Sequence, residues 1–112
     1  MANSTDKLYY RIGDVADMLE LPQSTLRFWE TKFSIAVPKR NAGRTRLYTP
    51  KDIDNLRMIK FLVHDKGLRI EAAREEIKRN RDGVLRHAEA IEDLKNVRAR
   101  LITLLDSLHK LR

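Results

Sequence analysis

A chain of 112 residues is long enough for one domain and an appendage, and with no cysteine it excludes disulfides, thiolate metal sites and a cysteine nucleophile. Its 23 Lys+Arg against 16 Asp+Glu give a formal charge of +7, which favours polyanions such as nucleic acid or an acidic membrane surface and says nothing of fold. No apolar run reaches the length of a membrane span, and "MANSTDKLYY" lacks the basic-then-apolar pattern of a secretory signal, so a cytoplasmic protein with no membrane partner is expected.

Residues 1–7 are polar and are expected to form a disordered tail. Tyr9 to Ile12 reads as a short strand. Asp14 to Leu19 reads as a short helix with Val15, Ala16 and Leu19 on one face. Pro22 disfavours a helical Leu21 and ends it. A second helix runs from about Gln23 to Phe33, with Leu26, Trp29 and Phe33 at i, i+3, i+7. Two short helices around a tight turn make a helix-turn-helix candidate.

"SIAVPKRNAGRTRLY" follows, two short extended segments around a Gly-containing turn, which is a hairpin pattern. Residues two apart on a strand share a face, so Arg44, Arg46 and Tyr48 are expected to point the same way. From the residues alone, this strip fits either a row of cations for a polyanion or a solvated edge strand whose charges discourage aggregation. From Thr31 to Lys51 there are six basic residues (Lys32, Lys39, Arg40, Arg44, Arg46, Lys51) and no acidic one. That local bias is more telling than the global charge.

"TPKD" is a helix start. Thr49 suits the N-cap, Pro50 the first turn and Asp52 the capping-box position. The helix carries Ile53, Leu56, Ile59, Leu62 and Val63 toward a core and ends near Gly67, which suits a left-handed cap. Glu71 to Arg79 reads as a further helix with Ala72, Ala73 and Ile77 inward. Asn80 to Gly83 reads as a breaker.

Val84 to Arg112 contains no Gly or Pro. With Val84 at heptad position a, the a positions are Val84, Ile91, Arg98, Leu105 and Arg112, and the d positions are His87, Leu94, Leu101 and Leu108. Val97, Leu104 and Leu111 widen the seam at g, and Ile102 adds an e position. This heptad pattern predicts pairing of two chains; folding back onto the same domain is the other reading. A lone helix would leave each large apolar side chain exposed at roughly 1.5–3 kcal/mol.

"YYRIGDVADML", "STLRFWE", "GRTRLYTPKDIDNLRMIKFL" and "KGLRIEAAREEI" together closely resemble the MerR family of bacterial transcription regulators, in order and spacing, from Tyr9 to about Lys78. The resemblance implies a mainly α fold: a winged helix-turn-helix with a small β-hairpin wing over residues 8–80, then a C-terminal helix at 81–112 pairing as an antiparallel coiled coil. It implies a homodimer on double-stranded DNA at a pseudo-palindromic promoter site, distorting the spacer so that RNA polymerase engages it. "STLRFWE" resembles the recognition helix, "GRTRLY" the first wing and "DKGLR" the second. By this matching Ser24, Thr25, Arg27, Phe28 and Trp29 face DNA or brace the reading helix. Lys39, Arg40, Arg44, Arg46 and Tyr48 serve the first wing, and Lys66 and Arg69 the second. Val84, His87, Ile91, Leu94, Val97, Leu101, Leu104, Leu105 and Leu108 are the expected dimerisation residues.

The chain departs from the family pattern at Phe28-Trp29, where two tyrosines are common, so Phe28 lacks a phosphate-bonding hydroxyl. The helical spacing of Trp29 with Leu26 and Phe33 favours a core role. The chain reads as a short member without an effector domain. His64, His87 and His109 form no local ligand motif, so no metal and no cofactor is expected. Adjacent acids such as Glu75-Glu76 point in different directions on a helix, and no phosphate loop or nucleophile elbow occurs, so no enzyme is expected. Two rival readings share these features: a small excisionase-like architectural factor in site-specific recombination, and a coiled-coil adaptor whose basic face meets acidic proteins.

Overall fold

The computed structural model describes residues 8–111, so the tail expected at 1–7 lies outside the described residues. Helix α1 spans Ile12–Leu19. Its C-terminal turn closes through Glu20, in the left-handed region at φ 56, and the Leu21 N–H bonds the Ala16 carbonyl at 2.9 Å. Pro22 then caps α2, which spans Gln23–Lys32. Only Glu20 to Pro22 separate the two helices, and the pair forms the helix-turn-helix.

The chain beyond α2 departs from the extended segment expected there. Ser34–Ala36 forms a 3₁₀ turn, which tucks Ala36 into the core. The hairpin is short: β1 is Lys39–Arg40 and β2 is Arg46–Leu47, antiparallel, with Lys39 opposite Leu47 and Arg40 opposite Arg46. Tyr10 and Tyr48 exchange backbone hydrogen bonds at 2.8 Å each, so the strand expected at Tyr9 to Ile12 is a single bridge that ties the chain start to the wing.

Helix α3 spans Pro50–Lys60 and starts as its sequence dictates. The Asp52 N–H donates to Thr49 Oγ1 at 3.1 Å and the Thr49 N–H to Asp52 Oδ2 at 2.9 Å, the reciprocal capping box. Phe61–Asp65 continues it as a wider π-type turn, and Gly67 at φ 72 takes the left-handed position that reverses the chain. Helix α4 spans Ile70–Arg79. Ala73 and Ile77 are buried, but Ala72 is exposed, one residue off the inward face it was expected to share. Helix α5 spans Arg81–Lys110, and among residues 80–83 only Asn80 (φ −146) interrupts the helical path. Gly83 lies inside the first turn, buried, where a Cβ would overlap the Asn80 side chain.

One core joins these elements: Val15 and Leu19 of α1, Leu26 and Trp29 of α2, Ile53, Leu56 and Ile59 of α3, Leu62, Ala73, Ile77, and Val84 and Ala88 of α5. Polar ties hold the seams. Lys60 Nζ donates to the Leu19 carbonyl at 2.6 Å, closing the end of α1. The buried Asn55 donates to the Ile35 carbonyl at 3.2 Å and accepts from Arg81, linking the 3₁₀ turn, α3 and α5. Lys95 pairs with Asp65 at 2.8 Å, anchoring α5 to the π-type turn.

The apolar stripe of α5 divides in two. Val84 is buried, Ile91 packs against the core, and the His87 ring meets the Phe61 ring at 6.2 Å, so this end is taken up by the chain's own domain. From Leu94 onward the stripe is bare: Val97, Leu101, Ile102, Leu104, Leu105, Leu108 and Leu111 are all exposed. No helix among the described residues is long and apolar enough to cross a membrane.

Candidate nucleic-acid interface

Helix α2 has two faces, set by its 3.6-residue period. Leu26, Trp29 and the following Phe33 point into the core. Ser24, Arg27, Phe28 and Thr31, at i, i+3, i+4 and i+7, form an outward face, all exposed. Arg27 is steadied along the helix by Gln23, its Nη2 donating to Oε1 at 3.0 Å. Phe28 is 50 % exposed, with Lys32 Nζ 5.7 Å from its ring centroid. Thr25 is half-buried at the edge of this face. Trp29 is only 2 % exposed and meets the His64 ring at 5.5 Å, so it belongs to the core and braces α2 from behind.

The wing beside α2 differs from the row of three side chains expected of it. Arg44 lies in the hairpin turn, not on the strand: its N–H bonds the Asn41 carbonyl at 2.9 Å and its backbone is left-handed at φ 65. The residue in that conformation is Arg44, not the preceding Gly43, and it breaks the two-residue alternation. Arg46 and Tyr48 do share a face, but that face turns inward. Tyr48 is fully buried, and its hydroxyl has no hydrogen-bond partner among the described residues. Burial pushes its phenol above the ordinary value; the Glu30 carboxylate adds to the rise, while Arg46 and Arg40 oppose it.

Arg46 Nε is 2.7 Å from Glu30 Oε1, and Arg40 Nη2 is 3.3 Å from Glu30 Oε2. One carboxylate of α2 therefore holds one arginine from each wing strand. Arg40 also donates through Nη1 to the Arg44 carbonyl at 3.0 Å, which fixes the turn. Glu30 carries this arrangement and was missed from sequence, where it lies one residue before the acid-free segment. The only sequence signal was a pair of alternating arginines in need of a counter-charge.

The remaining cations are open. Lys39 and Arg44 on the wing and Lys66 and Arg69 in the Asp65 to Arg69 loop are exposed. A cleft of about 450 Å³ separates the start of α1 from the wing, lined by Arg11, Ile12, Gly13, Asp14, Arg44, Thr45 and Arg46. The chain thus presents an apolar-and-cationic helix face with a basic hairpin next to it.

Residues 10–80 match the model of the MerR HTH family of regulatory proteins, and the chain belongs to that family. Among curated relatives, it is 36 % identical over 61 residues to the HTH-type transcriptional regulator MlrA of Escherichia coli (strain K12), covering 54 % of this chain and 25 % of MlrA. It is 35 % identical over 66 residues to the HTH-type transcriptional regulator ZntR of the same strain, covering 59 % of this chain and 46 % of ZntR. The HTH-type transcriptional repressor CarA of Myxococcus xanthus is 29 % identical over 69 residues, covering 61 % of this chain and 24 % of CarA. The matches span between a quarter and about half the length of these relatives. No solved structure gives a significant match.

Proposed function

We propose that the chain is a sequence-specific transcriptional regulator that binds duplex DNA as a homodimer. The observation that carries this reading is the outward face of α2, with Ser24, Arg27 and Phe28 exposed beside a wing that is basic and free of acids. A helix of this kind fits the major groove, where side chains at i, i+3 and i+4 reach base edges. Lys39, Arg44, Lys66 and Arg69 are exposed cations suited to phosphates, contacts that fix register without reading sequence.

Residues 8–80 act as the DNA-binding unit and residues 81–112 as the pairing unit. Pairing of the bare α5 stripe covers its leucines and sets two reading heads on one duplex. The helix is about 45 Å long at 1.5 Å per residue, enough to hold the heads in separate half-sites of a pseudo-palindrome. Distorting a promoter between those heads, so that RNA polymerase engages it, costs on the order of 1–6 kcal/mol, which the wing contacts offset.

Fluorescence anisotropy with a random-sequence duplex, repeated over a salt series, tests the electrostatic half of this reading. The expected result is saturable binding whose log K falls linearly with log salt, at about 0.9 per phosphate neutralised. Weak binding without a salt slope would point instead to the adaptor reading.

A further inference from the structure

Arg40 and Arg46 stand directly opposite each other on the wing ladder. Like charges in that relation destabilise a strand pair, and here the pair is only two residues long on each side. Glu30 removes the conflict, taking one arginine on each carboxylate oxygen. Its side chain is 17 % exposed and that of Arg46 22 %, so both ends of the stronger bond are largely screened from water. Arg40 extends this chain of bonds to the Arg44 carbonyl, behind the exposed turn cation.

We infer that Glu30 is a positioning residue for DNA recognition: it fixes the wing to the reading helix and aims Arg44, while Arg40, 36 % exposed, and Arg46 serve as struts and not as phosphate ligands. The inference rests on the DNA-binding reading above. It assigns a functional role to an acidic residue on a surface where simple electrostatics would want none. That makes its consequence opposite in sign to the charge effect. Replacing Glu30 with glutamine adds one positive charge per subunit next to the DNA. Charge alone would tighten binding to every duplex. Loss of the clamp instead frees two opposed arginines, loosens the hairpin and misplaces Arg44.

The test is the affinity of E30Q for a duplex enriched by the wild-type protein from a random pool, next to a scrambled duplex, over a salt series. The expected result is a loss of about tenfold or more on the enriched duplex, the scale of a lost charge-assisted hydrogen bond, with the scrambled duplex bound as well as before or better. Equal or tighter binding of both duplexes by E30Q would overturn the inference while leaving the DNA reading intact. A wild-type chain that retains no duplex would overturn both. Should E30Q fail to melt cooperatively, R46Q added to R44G decides: with Arg44 already gone, removing a strut leaves the salt slope of the R44G protein unchanged, whereas removing a phosphate ligand lowers its magnitude by about a further 0.9 for each phosphate no longer neutralised. The lowered slope would overturn the inference.

Discussion

Arg46 of the wing is bonded to Glu30 of the reading helix at 2.7 Å. The bond ties the helix proposed to enter a groove to the hairpin proposed to flank it. It also separates the basic residues of the wing into two groups. Arg40 and Arg46 are committed to Glu30, while Arg44 and Lys39 stand free of it and face outward.

Arg44 occupies a left-handed backbone conformation at φ 65 that suits glycine. Such a residue carries about 1–2 kcal/mol of strain, part of which glycine returns as extra chain entropy in the unfolded state. Arg44→Gly is therefore expected to stabilise the fold by about 0.5–1 kcal/mol in thermal or urea unfolding. It is also expected to weaken DNA binding and reduce the salt slope. A variant that is more stable and binds equally well would leave the strained arginine without a purpose.

Phe28 and Trp29 are adjacent, yet one is 50 % exposed and the other 2 %. Trp29→Ala is expected to cost about 3–5 kcal/mol of stability, the scale of an aromatic cavity in a core. Phe28→Ala is expected to stay within about 0.5 kcal/mol of wild type and to lose sequence preference instead. Urea denaturation of both variants checks the first half, and competition between duplexes the second.

These two aromatics show what was legible in the sequence. The i, i+3, i+7 spacing of Leu26, Trp29 and Phe33 is local, and it assigns Trp29 to the core even though the family matching sets it beside DNA-facing residues. Thr49, Asp52 and Gly67 were readable for the same reason: a capping box and a left-handed glycine are decided within a few residues. The Glu30 clamp was not readable, because its partners come from another element and only tertiary placement brings them together. Arg44 misled because strand alternation assumes the strand has begun, whereas the turn still holds that residue. Gly83 misled in the other direction: helix α5 carries it inside its first turn, where a Cβ would press on the Asn80 side chain.

The buried Tyr48 hydroxyl has no hydrogen-bond partner among the described residues, and burial raises its pKa. Below the ordinary tyrosine value of about 10 the phenol is neutral in both folded and unfolded chains, and the shift has no effect on stability. Above it the unfolded chain releases a proton that the folded chain retains, so stability falls as pH rises toward the folded value. Tyr48→Phe is expected to remove that loss and to raise stability at neutral pH by about 1 kcal/mol, since an unsatisfied buried hydroxyl is costly. The check is the difference between wild-type and variant unfolding free energies, measured from pH 7 to above 10. A difference that does not grow through the alkaline range would contradict the prediction.

Leu101 is 55 % exposed in the middle of the bare part of α5. Leu101→Glu would place a charge in the proposed seam, where burial without a partner is costly. It is expected to abolish both the dimer and tight duplex binding while leaving the core intact. Sedimentation at micromolar concentration checks this, and a variant that still sediments as a dimer would remove α5 from the pairing surface.

In the proposed function two identical reading heads, joined through α5, recognise one duplex by the outward face of α2. Enrichment of binding sites from a random duplex pool puts the whole of that proposal to the test. The expected product is an inverted repeat whose two half-sites carry the same preference, with Arg27→Ala relaxing that preference at matching positions in both halves. A pool that emerges without any consensus, or with a single unrepeated site, would contradict it.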